Sequence, residues 1–146
     1  MPRDPVHKIR PGEQDAPSFD TERFVVVPLA PPALRQLTKV LLGDARLADQ
    51  LPWLQDKSAD GIEREAFLLE LQCAARATRG WGIVERARVM FIGAVLARQS
   101  LEGIDLEVLC ASQFWNQGVA DEVCEPVAEW LEQTTDVLIG APLLPS

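Results

Sequence analysis

Residues 114–133, FWNQGVADEVCEPVAEWLEQ, are decisive for the fold because they join a strand-like segment to a helical one through a glycine. After Gly118 the apolar residues recur at helical spacing. A glycine at such a junction either makes a tight turn or lets the backbone approach a ligand closely. The start of a helix also presents unpaired N–H groups, which suit a phosphate. The stretch therefore predicts either a plain turn or an anion-binding loop.

The overall composition indicates one globular domain with an acidic surface. The 146 residues are 47% hydrophobic and 25% charged, and the formal net charge is -8. An acidic chain repels a polyphosphate backbone, so we expect no nucleic-acid partner. No apolar run approaches the roughly 18 residues of a membrane span, and no signal-peptide pattern follows Met1. We therefore expect a cytoplasmic protein with no membrane partner.

The cysteines and the histidine restrict the chemistry that the fold can carry. The cysteines are three, an odd number, and none of them is in C-x-x-C spacing. This pattern argues against a disulfide framework and against a zinc site. The single histidine, His7, lies in the N-terminal tail, which excludes a histidine-based triad inside the fold. We expect no metal.

The chain divides into an N-terminal arm, residues 1–19, and one domain, residues 20–146. The arm holds four prolines and mixed charge, so it is predicted to be flexible. In the domain, the order of elements is strand, two helices, three strands, helix and strand, with Gly80 ending the second helix. The fold class is therefore α/β (α+β), with a mixed, mainly antiparallel central sheet flanked by helices. The predicted strands are ERFVVVPLA, WGIV, VMFIGAVLARQ, IDLEVLCAS and DVLIGAPLLPS, and the predicted helices are PPALRQLTKVLLG, DGIEREAFLLELQCAARATRG and residues 120–132.

Four segments, taken in order, resemble the GNAT superfamily of acyl-CoA-dependent N-acetyltransferases. The likeness is strongest to the branch that acetylates ribosomal-protein N-termini, and it covers about residues 20–133. The segments are DTERFVVVPLAPPALRQL, LPW at 51–53, WGIVERARVMFIGAVLA and DLEVLCASQFWNQGVADEV. In the family, the last of these contains the strand and the loop that hold the co-substrate.

The resemblance implies an acetyl-CoA site. The loop before the third helix would bind the pyrophosphate through backbone N–H groups, and Gly118 has no Cβ to block them. The strand LEVLCA would pair with the pantetheine arm, and an N–H near Leu109 or Cys110 would stabilise the developing oxyanion. The implied co-substrate-binding residues are Leu109, Cys110, Trp115, Asn116, Gln117, Gly118, Val119 and Ala120.

The sequence departs from the family pattern in several places. Asn116 stands where the family usually has glycine, and Gln117 stands where it usually has a basic residue. Pro126 falls inside the predicted third helix. The domain is expected to lack the last helix and the closing strands of the family, and the sequence contains no tyrosine, the residue that often serves the family as general acid.

Glu107 and Ser112 are the two candidate catalytic residues. Glu107 and Asp105 lie two apart on one strand, so they share a face. One of them, with Glu107 the candidate, could deprotonate an ammonium substrate, directly or through water, or both carboxylates could form a solvated face. Ser112, just past the strand, has the same two interpretations. Cys110 is either a nucleophile or, as is usual on a strand, a small buried hydrophobe.

Three functions from different classes remain open from the sequence alone. The first is an N-acetyltransferase that moves an acetyl group from acetyl-CoA to an unidentified primary amine. The second is a degenerate, non-catalytic member that binds or regulates, and a plain interaction domain that binds no CoA is a third possibility. The apolar final strand DVLIGAP has an open edge in this scheme, which makes a homodimer possible.

Overall fold

Antiparallel strands in chain order form the sheet of the computed structural model, which describes residues 16–135. The strands in this part of the chain are β1 Phe19–Asp20, β2 Phe24–Pro28, β3 Thr78–Glu85, β4 Met90–Ser100 and β5 Gly103–Cys110. The helices are α1 Pro31–Leu42, α2 Ala45–Asp49, α3 Ala59–Ala74 and α4 Val119–Thr135, and a 3₁₀ turn spans Ser112–Phe114. The predicted α/β class, with a mainly antiparallel sheet flanked by helices, is confirmed.

The final predicted strand, in residues 136–146, lies outside the described residues. The pairing of this strand in the mixed sheet, and the homodimer that its open edge makes possible, therefore stay predictions. Within residues 16–135, no helix is long and apolar enough to cross a membrane.

The two faces of the sheet bury separate apolar layers. One layer packs β5 residues Leu106 and Val108 against α4, and it includes the fully buried Trp81. The other packs Leu109 of β5 against α1, α2 and α3. Because strand side chains alternate between faces, Glu107 must lie on the same side as Leu109, beneath those three helices.

The structure corrects the predicted end of the second long helix. Gly80 does not end it: α3 stops at Ala74, and Gly80 lies inside β3. Arg76, with φ of 63°, makes the left-handed turn, and the N–H groups of Arg76 and Ala77 bond back to Cys73 and Gln72, which is a Schellman ending. Gly80 is a glycine for another reason, since a Cβ there would come within 2.6 Å of Leu34 on α1.

Residues 16–19, which the sequence assigns to the arm, contact the domain. Phe19 pairs with Val26 in the sheet, and its ring centroid lies 6.5 Å from those of Trp81 and Trp130. The carbonyl of Pro17 accepts a hydrogen bond from the Trp81 indole at 3.3 Å. The folded unit therefore begins at or before residue 16, and the rest of the predicted arm lies outside the described residues.

Replacing Phe19 with alanine is expected to lower the free energy of unfolding by about 1–2 kcal/mol. The value is below the ~3–5 kcal/mol of a fully buried phenylalanine because Phe19 is only half-buried. Urea denaturation of the variant against the parent measures the change. Ser18→Ala, at an exposed neighbour, is the matched control, and equal stability of all three proteins would show that the ring contacts contribute nothing.

Candidate functional site

The loop from Trp115 to Gly118 joins the end of the sheet to the start of α4. Asn116 and Gly118 have φ values of 65° and 74°, both left-handed. Asn tolerates this region better than most residues, and glycine does so freely. The Gly118 carbonyl accepts the N–H of Glu122 at 3.2 Å, so α4 begins directly after Gly118. Left-handed residues next to a helix N-terminus point successive N–H groups to one side, the arrangement that binds anions.

The space above Gly118 is open and lies beside a guanidinium group. Among the described residues, and apart from its two chain neighbours, a Cβ built on Gly118 would meet a single atom within 4 Å, Nη2 of Arg23 at 3.8 Å. Sequence reasoning missed Arg23, because it precedes β2 and reaches the loop only through the tertiary fold. A guanidinium from the other end of the domain therefore lies beside this loop, in which Gln117 stands where the family usually has a basic residue.

Glu122, in the first turn of α4, holds Arg23 in this position. Its Oε1 accepts the Arg23 Nε at 2.7 Å, and its Oε2 accepts the Arg23 N–H at 2.9 Å and the Thr21 hydroxyl at 2.5 Å. Burial alone would raise the pKa of Glu122, but these hydrogen bonds outweigh burial and hold the pKa below its usual value. Glu122 therefore stays ionised, and among the described residues none accepts a hydrogen bond from the Arg23 Nη atoms.

Two further arginines border the loop. The guanidinium of Arg46 lies 5.1 Å from the ring centroid of Trp115, and that of Arg88 lies 5.1 Å from the centroid of Phe114. With Arg23, they place guanidinium groups around the loop of a chain whose net charge is -8, although Glu122 pairs with Arg23 and Glu85 pairs with Arg88. An anion that the global charge would repel could bind the remaining guanidinium donors locally.

The outer edge of β5 presents backbone groups next to the loop. The Ala111 N–H bonds to the Ile92 carbonyl at 2.9 Å. By the alternation of an antiparallel ladder, the N–H of Leu109 then points to β4 and the N–H of Cys110 points to the outer edge. The Trp115 indole donates to the Cys110 carbonyl at 2.8 Å on that edge. Of the two residues expected to supply an oxyanion donor, the geometry favours Cys110.

Glu107 is buried and hydrogen-bonded, with 4% of its surface exposed. Its Oε2 accepts the Trp53 indole N–H at 2.8 Å, and its Oε1 accepts Arg98 Nη2 at 3.4 Å. The alternative of a solvated strand face is therefore wrong for Glu107, although Asp105 is exposed. Trp53, from the LPW segment, covers the carboxylate, so the donors that allow its burial come from outside its own strand.

Ser112 is engaged by a single carboxylate. Its N–H donates to Oδ2 of Asp44 at 2.7 Å, and its hydroxyl donates to Oδ1 at 3.0 Å. Burial would raise the pKa of Asp44, but the bonds from Ser112 and from the first turn of α2 hold it below its usual value. This geometry fastens the end of β5 to α2. A catalytic role for Ser112 stays a prediction.

The buried thiols are poor nucleophiles. Burial raises the pKa of Cys110 to about 11, and the Asp44 carboxylate adds to the effect. Burial raises the pKa of Cys124 in the same way, also to about 11. Because the thiolate is the reactive form, the geometry favours the interpretation of Cys110 as a small buried hydrophobe.

A cavity of about 260 Å³ lies on the α3 side of the sheet, and its lining includes the two hydrogen-bond donors to Glu107 but not Glu107 itself. It shares Trp53 and Arg98 with the environment of the carboxylate. Its lining residues are Trp53, Glu65, Leu68, Leu69, Gln72 and Arg98.

Solved acetyltransferase structures share this fold. Ribosomal-protein-S5-alanine acetyltransferase from Vibrio fischeri has a TM-score of 0.62 at 14% identity, covering 85% of this chain and 72% of that one. A ribosomal L7/L12 α-N-protein acetyltransferase in complex with coenzyme A has a TM-score of 0.62 at 11% identity, with coverages of 80% and 68%. A spermidine N-acetyltransferase chimera involving Vibrio cholerae has a TM-score of 0.55 at 15% identity, with coverages of 81% and 69%. At such identities the likeness shows the fold alone.

The sequence comparisons assign the family. No curated protein sequence matches the chain significantly. The family profile described as "Acetyltransferase (GNAT) domain" matches residues 23–142, from Arg23 through β5, the loop and α4. This match spans most of the chain and confirms the resemblance. The chain belongs to the GNAT acetyltransferase family.

Proposed function

We propose that this protein is an N-acetyltransferase that moves the acetyl group of acetyl-CoA to a primary amine by direct attack in a ternary complex. The observation that carries the proposal is the loop from Trp115 to Gly118, with left-handed residues at 116 and 118, opening α4 beside the outer edge of β5. Members of the GNAT acetyltransferase family use acetyl-CoA, and one structural neighbour is a complex with coenzyme A.

The backbone and the arginines suit the two ends of acetyl-CoA. The pyrophosphate would bind the N–H groups of Asn116, Gln117, Gly118, Val119 and Ala120, with Trp115 leading into the loop. Arg23 supplies the cation there. The pantetheine arm carries amides that can pair with the outer edge of β5 as an added strand would. The thioester carbonyl then lies against the Cys110 N–H, which stabilises the oxyanion.

The acid–base chemistry falls to Glu107 in this proposal. The amine nitrogen attacks the thioester carbon, and its proton passes to Glu107 directly or through one water. The tetrahedral intermediate collapses to the amide and expels the CoA thiolate. A thiol of pKa about 8.5 is a fair leaving group, so the step proceeds without a tyrosine acid, and the thiolate takes its proton from solvent.

Calorimetric titration with acetyl-CoA and CoA tests the first half of the proposal. Thiol release with a panel of primary amines tests the second. A protein that binds neither nucleotide would overturn the proposal, whereas binding with amine-dependent thiol release supports both halves.

The second candidate is a non-catalytic CoA-binding module. The absence of tyrosine from the sequence favours it, as does the engagement of Glu107 by both Trp53 and Arg98. Saturable CoA binding with no thiol release, for any amine tested, is the result that distinguishes this candidate from an enzyme.

Replacing Arg23 with glutamine is expected to weaken CoA binding about tenfold, since a hydrogen bond to a charged group contributes about 1.5 kcal/mol or more. Pantetheine, which has no phosphate, should bind both proteins equally. Calorimetry with the two ligands measures the difference. Arg64→Gln makes the same charge change on an exposed part of α3 and should leave CoA binding unchanged. An equal loss for CoA and pantetheine would place Arg23 outside the phosphate contact.

A further inference from the structure

The cavity beside Glu107 carries opposite charges on its lining. Arg98 enters it from β4 and Glu65 from α3, and the apolar side chains of Trp53, Leu68 and Leu69 lie in the same lining. A lining with both signs of charge suits a ligand that also carries both signs.

Arg98 is held in place but retains capacity to bind. Its Nη1 donates to Gln72 at 3.2 Å, its Nη2 donates to Glu107 at a long 3.4 Å, and its guanidinium lies 5.3 Å from the Trp53 ring centroid. A guanidinium has five N–H donors in a planar fork that matches a carboxylate. Arg98 is therefore oriented at the cavity by neighbours that use only part of its donor set.

Glu65 supplies the opposite charge. Within residues 16–135 its carboxylate has no hydrogen-bond or ion-pair partner, and it is partly buried. An ammonium group entering the cavity would meet Glu65 on α3, whereas Glu107 lies behind Trp53 and Arg98, which bind both of its oxygens.

We propose that the acceptor is an aminocarboxylate, a primary amine whose skeleton also carries a carboxylate group nearby. Arg98 binds the carboxylate, and Glu65 guides the ammonium toward Glu107. This inference rests on the proposed function, which it deepens by naming the class of acceptor. Two kinds of molecule carry an amine next to a carboxylate in this way: a free amino acid, and a peptide whose first residue is acidic.

The size of the cavity fits a small ligand, and its charge separates this class from polyamines. A volume of about 260 Å³ lies below the roughly 300–1,000 Å³ of sites for drug-sized ligands, so it admits a group of amino-acid size. A polyamine carries several positive charges along an extended chain and would place one of them against Arg98. The spermidine activity named for one structural neighbour is therefore not expected of this chain.

The test uses matched pairs that differ only in the carboxylate. Leucine is compared with leucinamide, and a peptide beginning with aspartate is compared with the same peptide beginning with asparagine; spermidine is a fifth ligand. Binding is measured by calorimetry with and without CoA, and kcat/KM is measured by thiol release.

The acid of at least one pair is expected to be preferred about tenfold, and the pair that shows the preference tells whether the acceptor is a free amino acid or a peptide. The amine of leucinamide is the less basic of the two, so intrinsic reactivity opposes the expected preference.

Variants of Arg98 and Glu65 test whether the preference for the carboxylate-bearing ligand arises in the cavity. Arg98→Gln should reduce it to about twofold or less, Arg98→Lys should retain part of it, and Glu65→Gln should weaken both members of a pair. Arg64→Gln, elsewhere on α3, should change nothing. If Arg98→Gln does not fold, the matched ligands measured on the parent, on Arg98→Lys and on Glu65→Gln still test the inference. Equal affinity within both pairs, binding of no member, or a preference for spermidine overturns the inference. Failure of the proposed function has a different signature, the absence of CoA binding or of thiol release, because binding to the cavity is also measured without CoA.

Discussion

Gly118→Asp is expected to weaken CoA binding about a hundredfold or more. The new carboxylate would stand among the N–H groups proposed to bind the pyrophosphate, where like charges a few ångströms apart cost about 3 kcal/mol at the effective dielectric of a protein surface. It would also pair with Arg23, whose Nη2 lies 3.8 Å from the position of the added Cβ. The free energy of unfolding should fall by only about 1 kcal/mol, because aspartate is among the side chains that tolerate a left-handed backbone.

Gly118→Asn separates charge from bulk and backbone strain. Asparagine has nearly the shape of aspartate and adopts the left-handed region more readily than most residues, so its loss of stability should differ from that of Gly118→Asp only by the contact that aspartate gains with Arg23. Its CoA affinity should lie much closer to that of the parent. Calorimetry and urea denaturation of the three proteins give both quantities, and equal CoA affinities for the two variants would show that no phosphate charge lies near residue 118.

Glu107→Gln is expected to lower kcat about a hundredfold at saturating acetyl-CoA, the lower end of the range for loss of a general base. Glutamine has the volume of glutamate, and its carbonyl can still accept the Trp53 indole. The fold and the CoA affinity should therefore be retained. Steady-state thiol release measures kcat, and calorimetry confirms that CoA still binds.

Asp105→Asn is the matched control for Glu107. It makes the same chemical change two residues earlier on the same strand face, where the side chain is exposed. We expect kcat to stay within about twofold of the parent, as for most surface substitutions. If Glu107→Gln were as active as Asp105→Asn, Glu107 would have no role in the proton transfer.

Local sequence patterns predicted most of the elements, because each one depends on its own spacing. The junction at Gly118 and the left-handed tolerance of Asn116 could be anticipated from residue type alone. The end of α3 could not, since Arg76 makes the left-handed turn where glycine is the usual signal, and Gly80 is required by contact with Leu34.

The parts of the site that were missed depend on residues distant in sequence. Arg23, before β2, lies beside Gly118 because it binds Glu122 on α4. Glu107 is covered by Trp53, which is distant in sequence. The segments containing these residues were each recognised separately. Their pairing is a tertiary property for which one sequence without an alignment gives no signal.

The alternation along β5 separates what mutation can change from what it cannot. In the proposed function, Glu107 would act through its side chain, above the sheet, so a substitution there would alter the chemistry delivered to the amine. Cys110 would act through its backbone N–H, in the plane of the sheet, and every residue except proline supplies the same group. The proposed thioester side of the site would therefore persist through sequence drift, while the proposed acceptor side, from Glu107 to Arg98 and Glu65, would be free to diversify. One strand would then combine a fixed reaction with an evolvable choice of amine.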